Sequence, residues 1–138
     1  MMSPQDMATL HAAAFSQSRP WSAGEFASLL SSPLCFSVGD SCCFALIRVV
    51  VDEAELLTIA THPDHVRQGL ASFCMKTWQQ LARQRGASRA FLEVAADNVL
   101  ARALYAKCGY DHCGSRRAYY QRADQPPVDA IVMQRMFT

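Results

Sequence analysis

Residues 54–95 read as strand, helix, strand, and that order constrains the fold more than any other feature of the chain. Residues 54–61 form a strand that ends at His62-Pro63, because proline cannot donate to a ladder. Across residues 67–85 the apolar positions Leu70, Phe73, Cys74, Trp78 (or Thr77) and Leu81 recur at helical spacing, and Gly86 supplies the stop. Residues 88–95 return to a strand. Two strands joined through a helix pair in parallel, so the centre of the sheet is parallel and its flanks antiparallel.

The flanks complete the pattern. Met7, Leu10, Ala14 and Phe15 give residues 5–15 a helical spacing that starts near Ser3-Pro4. Ser22 suits the N-cap of a second short helix through Glu25, Phe26, Leu29 and Leu30, which Pro33 stops. Residues 35–38 and 42–51, joined by Gly39-Asp40-Ser41, read as a β-hairpin. Residues 98–108 form a helix closed by Gly109. Residues 110–120 and 129–137 form a last strand pair, separated by the turn-rich segment 124–127. The expected order is α-α-β-β-β-α-β-α-β-β, a mixed α/β sandwich around one central sheet.

Length and composition exclude several classes. At 138 residues the chain fits one domain, 1–138. With 51% hydrophobic and 18% charged residues it can build a core without staples. A net charge of +1 supplies no overall field toward nucleic acid or an anionic membrane. The most apolar stretch, residues 42–51, is short and broken by Arg48, and the first residues lack the basic start and long apolar run of a leader. The expected location is the cytoplasm, with no membrane and no direct nucleic-acid partner. Cys35, Cys42, Cys43, Cys74, Cys108 and Cys113 show no C-x-x-C spacing, and His11, His62, His65 and His112 form no matching pairs. The cysteines therefore read as small buried hydrophobes, and no metal is expected.

Three places could carry chemistry. His62-Pro63-Asp64-His65-Val66-Arg67-Gln68-Gly69-Leu70-Ala71 lies between a strand end and a helix start. There, a glycine and the helix dipole let backbone N–H groups approach a phosphate, although an ordinary strand-to-helix loop with a packing glycine fits as well. It has neither the Gly-Lys-Ser/Thr of a Walker A loop nor the three glycines of a dinucleotide turn. Strand alternation puts Phe91, Glu93 and Ala95 on one face and Leu92 and Val94 on the other. A partly desolvated Glu93 would have a raised pKa suited to a general base, and a solvated or ion-paired strand glutamate is the plainer alternative. Tyr105 sits inside the later helix, where a tyrosine is ordinarily core, and Asn98 is placed to cap that helix.

Taken in order, these pieces resemble the GNAT acetyltransferase superfamily, and within it the RimI group of bacterial ribosomal-protein-alanine N-acetyltransferases. The likeness rests on residues 67–71, Leu92-Glu93-Val94 and the helix from Asn98 to Tyr110. Pro20-Trp21-Ser22, Asp52-Glu53-Ala54, Arg116-Arg117-Ala118-Tyr119-Tyr120 and Asp129-Ala130-Ile131-Val132-Met133 extend it from about residue 21 to residue 136.

The resemblance implies a GNAT-type sheet whose middle strands splay to admit acetyl-CoA, with helices on both faces and the usual first strand absent. It implies that Arg67, Gln68, Gly69, Leu70, Ala71 and Ser72 hold the pyrophosphate. Backbone groups of Ile59, Ala60 and Thr61 would pair with the pantetheine arm, and the N–H near Ala60 would polarise the thioester carbonyl. Asn98 would bond the cofactor. Glu93 would take the proton of the attacking amine, with Glu55 the next candidate, and Tyr105 would protonate the departing thiolate. Trp21 and Tyr119, with Tyr120 beside it, would shape a peptide groove. As plainer readings, Trp21 is a hydrophobic staple beside the Ser22 cap and the tyrosines are ordinary strand residues. Val66 stands where the family's phosphate loop usually opens with Gln or Arg, which is expected to weaken affinity at most. The missing strand would leave an open edge, so the chain is expected to be a monomer or weak homodimer.

The implied reaction moves acetyl from acetyl-CoA to a protein N-terminal α-amine, with the terminal alanine of a ribosomal protein as the substrate the resemblance favours. An α-amine with a pKa of ~7.7–8.0 is far easier to deprotonate near neutrality than a lysine at ~10.4, and one glutamate suits that easier task. Acetylation of a small-molecule amine and a non-catalytic acyl-CoA-binding module are the competing expectations. Near-neutral charge disfavours polycationic acceptors, and the presence of both Glu93 and Tyr105 disfavours the binding module.

Overall fold

A computed structural model of the chain describes residues 2–15, 19–122 and 124–137. Two helices come first, α1 (Pro4–Ala14) and α2 (Ala23–Leu30). Each opens with a capping box, Ser3 with Asp6 and Ser22 with Glu25, in which a serine oxygen and an acidic side chain satisfy reciprocal backbone N–H groups. The strands β1 (Cys35–Gly39), β2 (Cys43–Val50) and β3 (Glu53–Thr61) follow, and a short 3-10 turn (Pro63–His65) leads to α3 (Leu70–Gln84). Then come β4 (Arg89–Ala95), α4 (Val99–Lys107), β5 (Asp111–Arg122) and β6 (Gln125–Met136).

The six strands form one sheet in the order β1-β2-β3-β4-β6-β5. β3 and β4 are parallel and every other pair is antiparallel, as the strand-helix-strand pattern requires. Among the described residues no strand precedes α1. One face of the sheet packs Ile47, Leu56, Leu92 and Val94 against Met75, Trp78 and Ala82 of α3 and Tyr105 of α4. The other face packs Phe44, Leu46 and Ala60 under Met7 and Leu10 of α1 and Phe26 of α2. Among the described residues no helix is long and apolar enough to cross a membrane.

Three expectations need correction. α3 starts at Leu70 and not at residue 67, because Arg67 and Gly69 both take left-handed backbone angles (φ 64° and 76°) that a helix cannot include. Its buried stripe is Cys74, Met75, Trp78, Gln79 and Ala82, whereas Phe73 is 68% exposed. Two overlapping stripes share Cys74 and Trp78, and the buried one was disguised by Gln79. That side chain is satisfied inside, its Oε1 accepting from the Tyr110 hydroxyl at 2.8 Å. Finally, residues 124–127 are not a broad turn, because β5 and β6 run on to an Arg122–Gln125 pairing. β6 loses β4 as a partner before Ala130, so Pro126 and Pro127 sit where one side of the strand needs no donor.

Candidate active site

The site begins with one irregularity in β3. Leu46 of β2 pairs with Thr58 and Ile47 pairs with Leu56, which leaves Leu57 as an extra, bulged residue. A bulge bends its strand and reverses which face the later side chains use. Leu56 accordingly joins the α3 side of the core and Ala60 the α1 side, although an unbroken strand would put both on one face. Pairing of β3 with β4 stops at the same point: the register runs from Glu53–Arg89 to Leu56–Leu92 and no further. Beyond it β3 stays with β2 as far as Thr61, and β4 stays with β6 as far as Ala95. The sheet is parted between them.

A cavity of about 360 Å³ fills the parting, lined by Leu56, Leu57, Thr58 and Ile59 on one bank and Glu93, Val94 and Ala95 on the other. Glu93 belongs to the α1–α2 face, since its neighbours Leu92 and Val94 pack on the α3–α4 side. Tyr105 comes from α4 on that opposite side. A carboxylate and a phenol from opposite faces of a sheet line the same cavity because the sheet is open there.

Glu93 is 18% exposed and its Oε1 lies 2.8 Å from Arg116 Nε, so the ion-paired alternative for this residue is the observed one. Tyr105 is buried, and burial pushes its phenol well above the ordinary value, so it carries its proton at neutral pH. Tyr120 also lines the cavity; burial, then the Glu93 charge, raise it to about 12. Glu55 does not line the cavity and is paired with Arg48 at 2.6 Å.

The α1–α2 bank is aromatic. Trp21 stacks on His11 (centroids 5.3 Å) and meets Phe26 at 5.5 Å, which makes it the staple read from the sequence as well as part of the cavity wall. His11 is 4% exposed and its Nδ1 accepts from the Trp21 backbone N–H at 3.2 Å. That bond puts the proton of the neutral ring on Nε2. Burial lowers its pKa to about 4, so the ring is uncharged at neutral pH.

Of the residues expected to hold the cofactor, Ile59 and Asn98 line the cavity. Asn98 Oδ1 caps α4 by accepting from Ala101 N at 3.2 Å, which leaves its amide group for a ligand. Ala60 is buried and Thr61 donates to Cys43 Sγ at 3.3 Å, so what either could offer is backbone, as expected of them. Arg67, Gln68, Gly69, Leu70, Ala71 and Ser72 lie outside the cavity lining, at the start of α3, which β3 reaches directly through the 3-10 turn. No side chain caps α3. Its first N–H groups are therefore available to an anion. Tyr119 is 49% exposed and outside the lining, packed edge-on against Tyr120, which takes the wall position. The swap follows from an irregularity in β5 between Arg116 and Tyr120, where Ala118 takes φ 52° and its N–H donates to Asp129 Oδ1 at 2.8 Å. Sequence reading missed His11 and Arg122, which reach the cavity from distant elements. It also missed the partnership of Arg116 with Glu93. Among the described residues no group of three or more His, Cys, Asp or Glu side chains could hold a metal, and the six cysteines are free thiols.

Comparison with known proteins agrees with this geometry. The family model described as the acetyltransferase (GNAT) family matches residues 25–110. The [ribosomal protein bS18]-alanine N-acetyltransferase of Escherichia coli is 39% identical over 118 residues, covering 83% of this chain and 79% of the relative. The crystal structure of the Escherichia coli ribosomal-protein-S18-alanine N-acetyltransferase superposes with a TM-score of 0.87 at 31% identity, over 98% of this chain and 88% of that one. Arabidopsis thaliana NAA60 in complex with acetyl-CoA shares the fold at 14% identity, with a TM-score of 0.82 over 97% and 93% of the two chains.

Proposed function

The chain belongs to the GNAT family of acetyltransferases, and from that premise we propose that it transfers acetyl from acetyl-CoA to the N-terminal α-amine of a protein, with a terminal alanine as the first candidate. It is an N-acetyltransferase, and its family uses acetyl-CoA as donor. One observation carries the reading: Glu93 and Tyr105 line a single cavity at the parting of β3 and β4. The alanine and the ribosomal protein come from the name of the Escherichia coli relative.

The parting suits the thioester arm. The edge of β3 from Leu57 onward is without a β4 partner, so backbone groups of Ile59, Ala60 and Thr61 can pair with an amide-bearing chain as an added strand would. Residues 67–72, with the uncapped start of α3, take the pyrophosphate. Glu93 accepts the proton released as the amine attacks the acetyl carbonyl, directly or through water. The Arg116 guanidinium holds that carboxylate in place. Tyr105, protonated at neutral pH, donates a hydrogen bond to the sulfur and supplies a proton to it as the carbon–sulfur bond breaks and negative charge develops there. Neutral His11, Trp21 and Tyr120 form the acceptor side of the wall.

Incubation of the protein with acetyl-CoA and a panel of short peptides, followed by mass spectrometry, tests this. Acetyl is expected on the N-terminal amine of alanine-initiated peptides. Transfer confined to lysine side chains or to small amines would contradict it.

A further inference from the structure

His11 of α1 is 4% exposed and lines the cavity that also holds Glu93. Phe15 (ring centroids 4.4 Å) and Trp21 (5.3 Å) lie against its ring, and Phe26 meets it edge-on at 5.7 Å. The Trp21 backbone N–H can only donate, so Nδ1 accepts and the uncharged ring carries its proton on Nε2. That Nε2–H has no acceptor among the described residues. It is not sealed either: among those residues the one side-chain nitrogen or oxygen both sealed and unpartnered is Arg122 Nε. In a ring otherwise packed against aromatic side chains, the opening left to Nε2 is the cavity. A donor held there without an acceptor gains its bond only when a ligand brings one.

We propose that His11 is a binding residue for the acceptor, its Nε2–H donating to the main-chain carbonyl oxygen of the residue that bears the reacting amine. This rests on the α-amine reading above and adds what distinguishes a peptide from a simple amine. Glu93 and α1 occupy the same face of the sheet, so an amine delivered to that carboxylate carries its own residue to the α1 side. In a peptide the carbonyl carbon is bonded to the carbon that bears the amine, and the oxygen goes with it. Charge does not compete with this match. Four charged residues line the cavity, and each has an opposite partner: Arg19 with Glu25 at 2.7 Å, Glu93 with Arg116 at 2.8 Å, and Asp97 with Arg122 at 2.8 Å. The wall therefore offers no unpaired counter-ion to a charged group, whereas the neutral N–H answers a neutral carbonyl.

Asn and Gln each reproduce one nitrogen of the ring. In His11→Asn the side-chain oxygen can take the Trp21 N–H in place of Nδ1, and nothing stands at Nε2. In His11→Gln the longer amide brings an N–H to the Nε2 position. Steady-state kinetics with an alanine-initiated peptide and with alaninamide, each with acetyl-CoA, read the donor. In His11→Asn the KM for both acceptors is expected to rise about tenfold, the effect of leaving a buried carbonyl without its partner, while the KM for acetyl-CoA stays unchanged. His11→Gln is expected to recover most of that loss. An equal rise in both variants would assign the effect to the Trp21 bond and overturn the proposal. So would an equal rise for acetyl-CoA, which would mark His11 as a packing residue, and so would a rise for the peptide alone, which would place the contact beyond the first carbonyl. If the wild-type protein acetylates lysine side chains and no α-amine, the underlying reading fails and the donor role fails with it. If the α-amine is acetylated and folded His11→Asn behaves as wild type, the donor role alone fails.

Discussion

Arg116 Nε sits 2.8 Å from Glu93 Oε1, although the two residues come from strands that are not neighbours: β6 lies between β4 and β5. The guanidinium reaches across β6, where Glu93 is paired with Val132 and Arg116 with Ala130. The proposed base is thus oriented by the last hairpin of the chain.

Glu93→Gln is expected to lower kcat by roughly 10²–10⁴, the usual contribution of a positioned base, with acetyl-CoA affinity retained. Arg116→Ala is expected to lower kcat by less. Because Arg116 is proposed to act through Glu93, the two changes should not add: Arg116→Ala should cost little further rate in a Glu93→Gln background. Full additivity in such a double-mutant cycle would show that Arg116 works independently of the carboxylate.

Tyr105→Phe removes the buried hydroxyl and leaves the ring that meets Tyr110 at 6.3 Å. A fall in turnover of about 10² or more is expected, with acetyl-CoA binding by calorimetry mostly intact. Because burial pushes the phenol up from its ordinary value, no alkaline loss of activity from Tyr105 is expected below about pH 10. Parallel losses of turnover and cofactor binding would make the hydroxyl structural.

His11 links stability to acid. Its pKa of about 4 in the fold lies below the ordinary 6.5, so on acidification the unfolded chain takes up a proton before the native protein does. The native state's advantage is complete above pH 6.5 and is lost as pH falls toward 4, so stability rises with pH across that window. The size is on the order of 3 kcal/mol between pH 4 and pH 7. Urea unfolding at pH 4.5 and pH 7 should show a clearly smaller difference for His11→Gln than for wild type. Equal differences would remove His11 as the cause.

Gly69 holds φ 76° at the start of α3, and a side-chain carbon there would meet nothing within 4 Å. Gly69→Ala should therefore cost backbone strain alone, about 1–2 kcal/mol, without a clash. If the loop cradles pyrophosphate, the variant should also raise the KM for acetyl-CoA while leaving kcat near wild type. An unchanged KM at the expected loss of stability would separate this loop from cofactor binding.

What could be read from the residues was local. The capping serines, the glycine stops and the strand-helix-strand order placed the α-helices and strands, and Asn98 read as a helix cap from its neighbours, whereas Glu93 and Tyr105 took their roles from the family resemblance. The bulge at Leu57 left no mark in the apolar pattern, since Leu56 and Leu57 are both apolar and the face reversal shows only in which helices they meet. His11, Arg116 and Arg122 lie in α1 and β5, far along the chain from Glu93, and α1 and the last hairpin converge on it only once the sheet has formed. Tyr119 and Tyr120 were indistinguishable until the β5 irregularity decided which faces the wall.

The decisive quantity is the backbone protection of β3 beyond its bulge. Hydrogen–deuterium exchange of the wild-type protein with and without acetyl-CoA would measure it. Residues 57–61 are expected to gain protection when the thioester arm takes the place β4 has left, while residues 53–56, already paired with β4, stay unchanged. Binding of acetyl-CoA with no slowing anywhere in residues 57–61 would mean that the arm does not enter the parting, and the roles given to Glu93 and Tyr105 would fall.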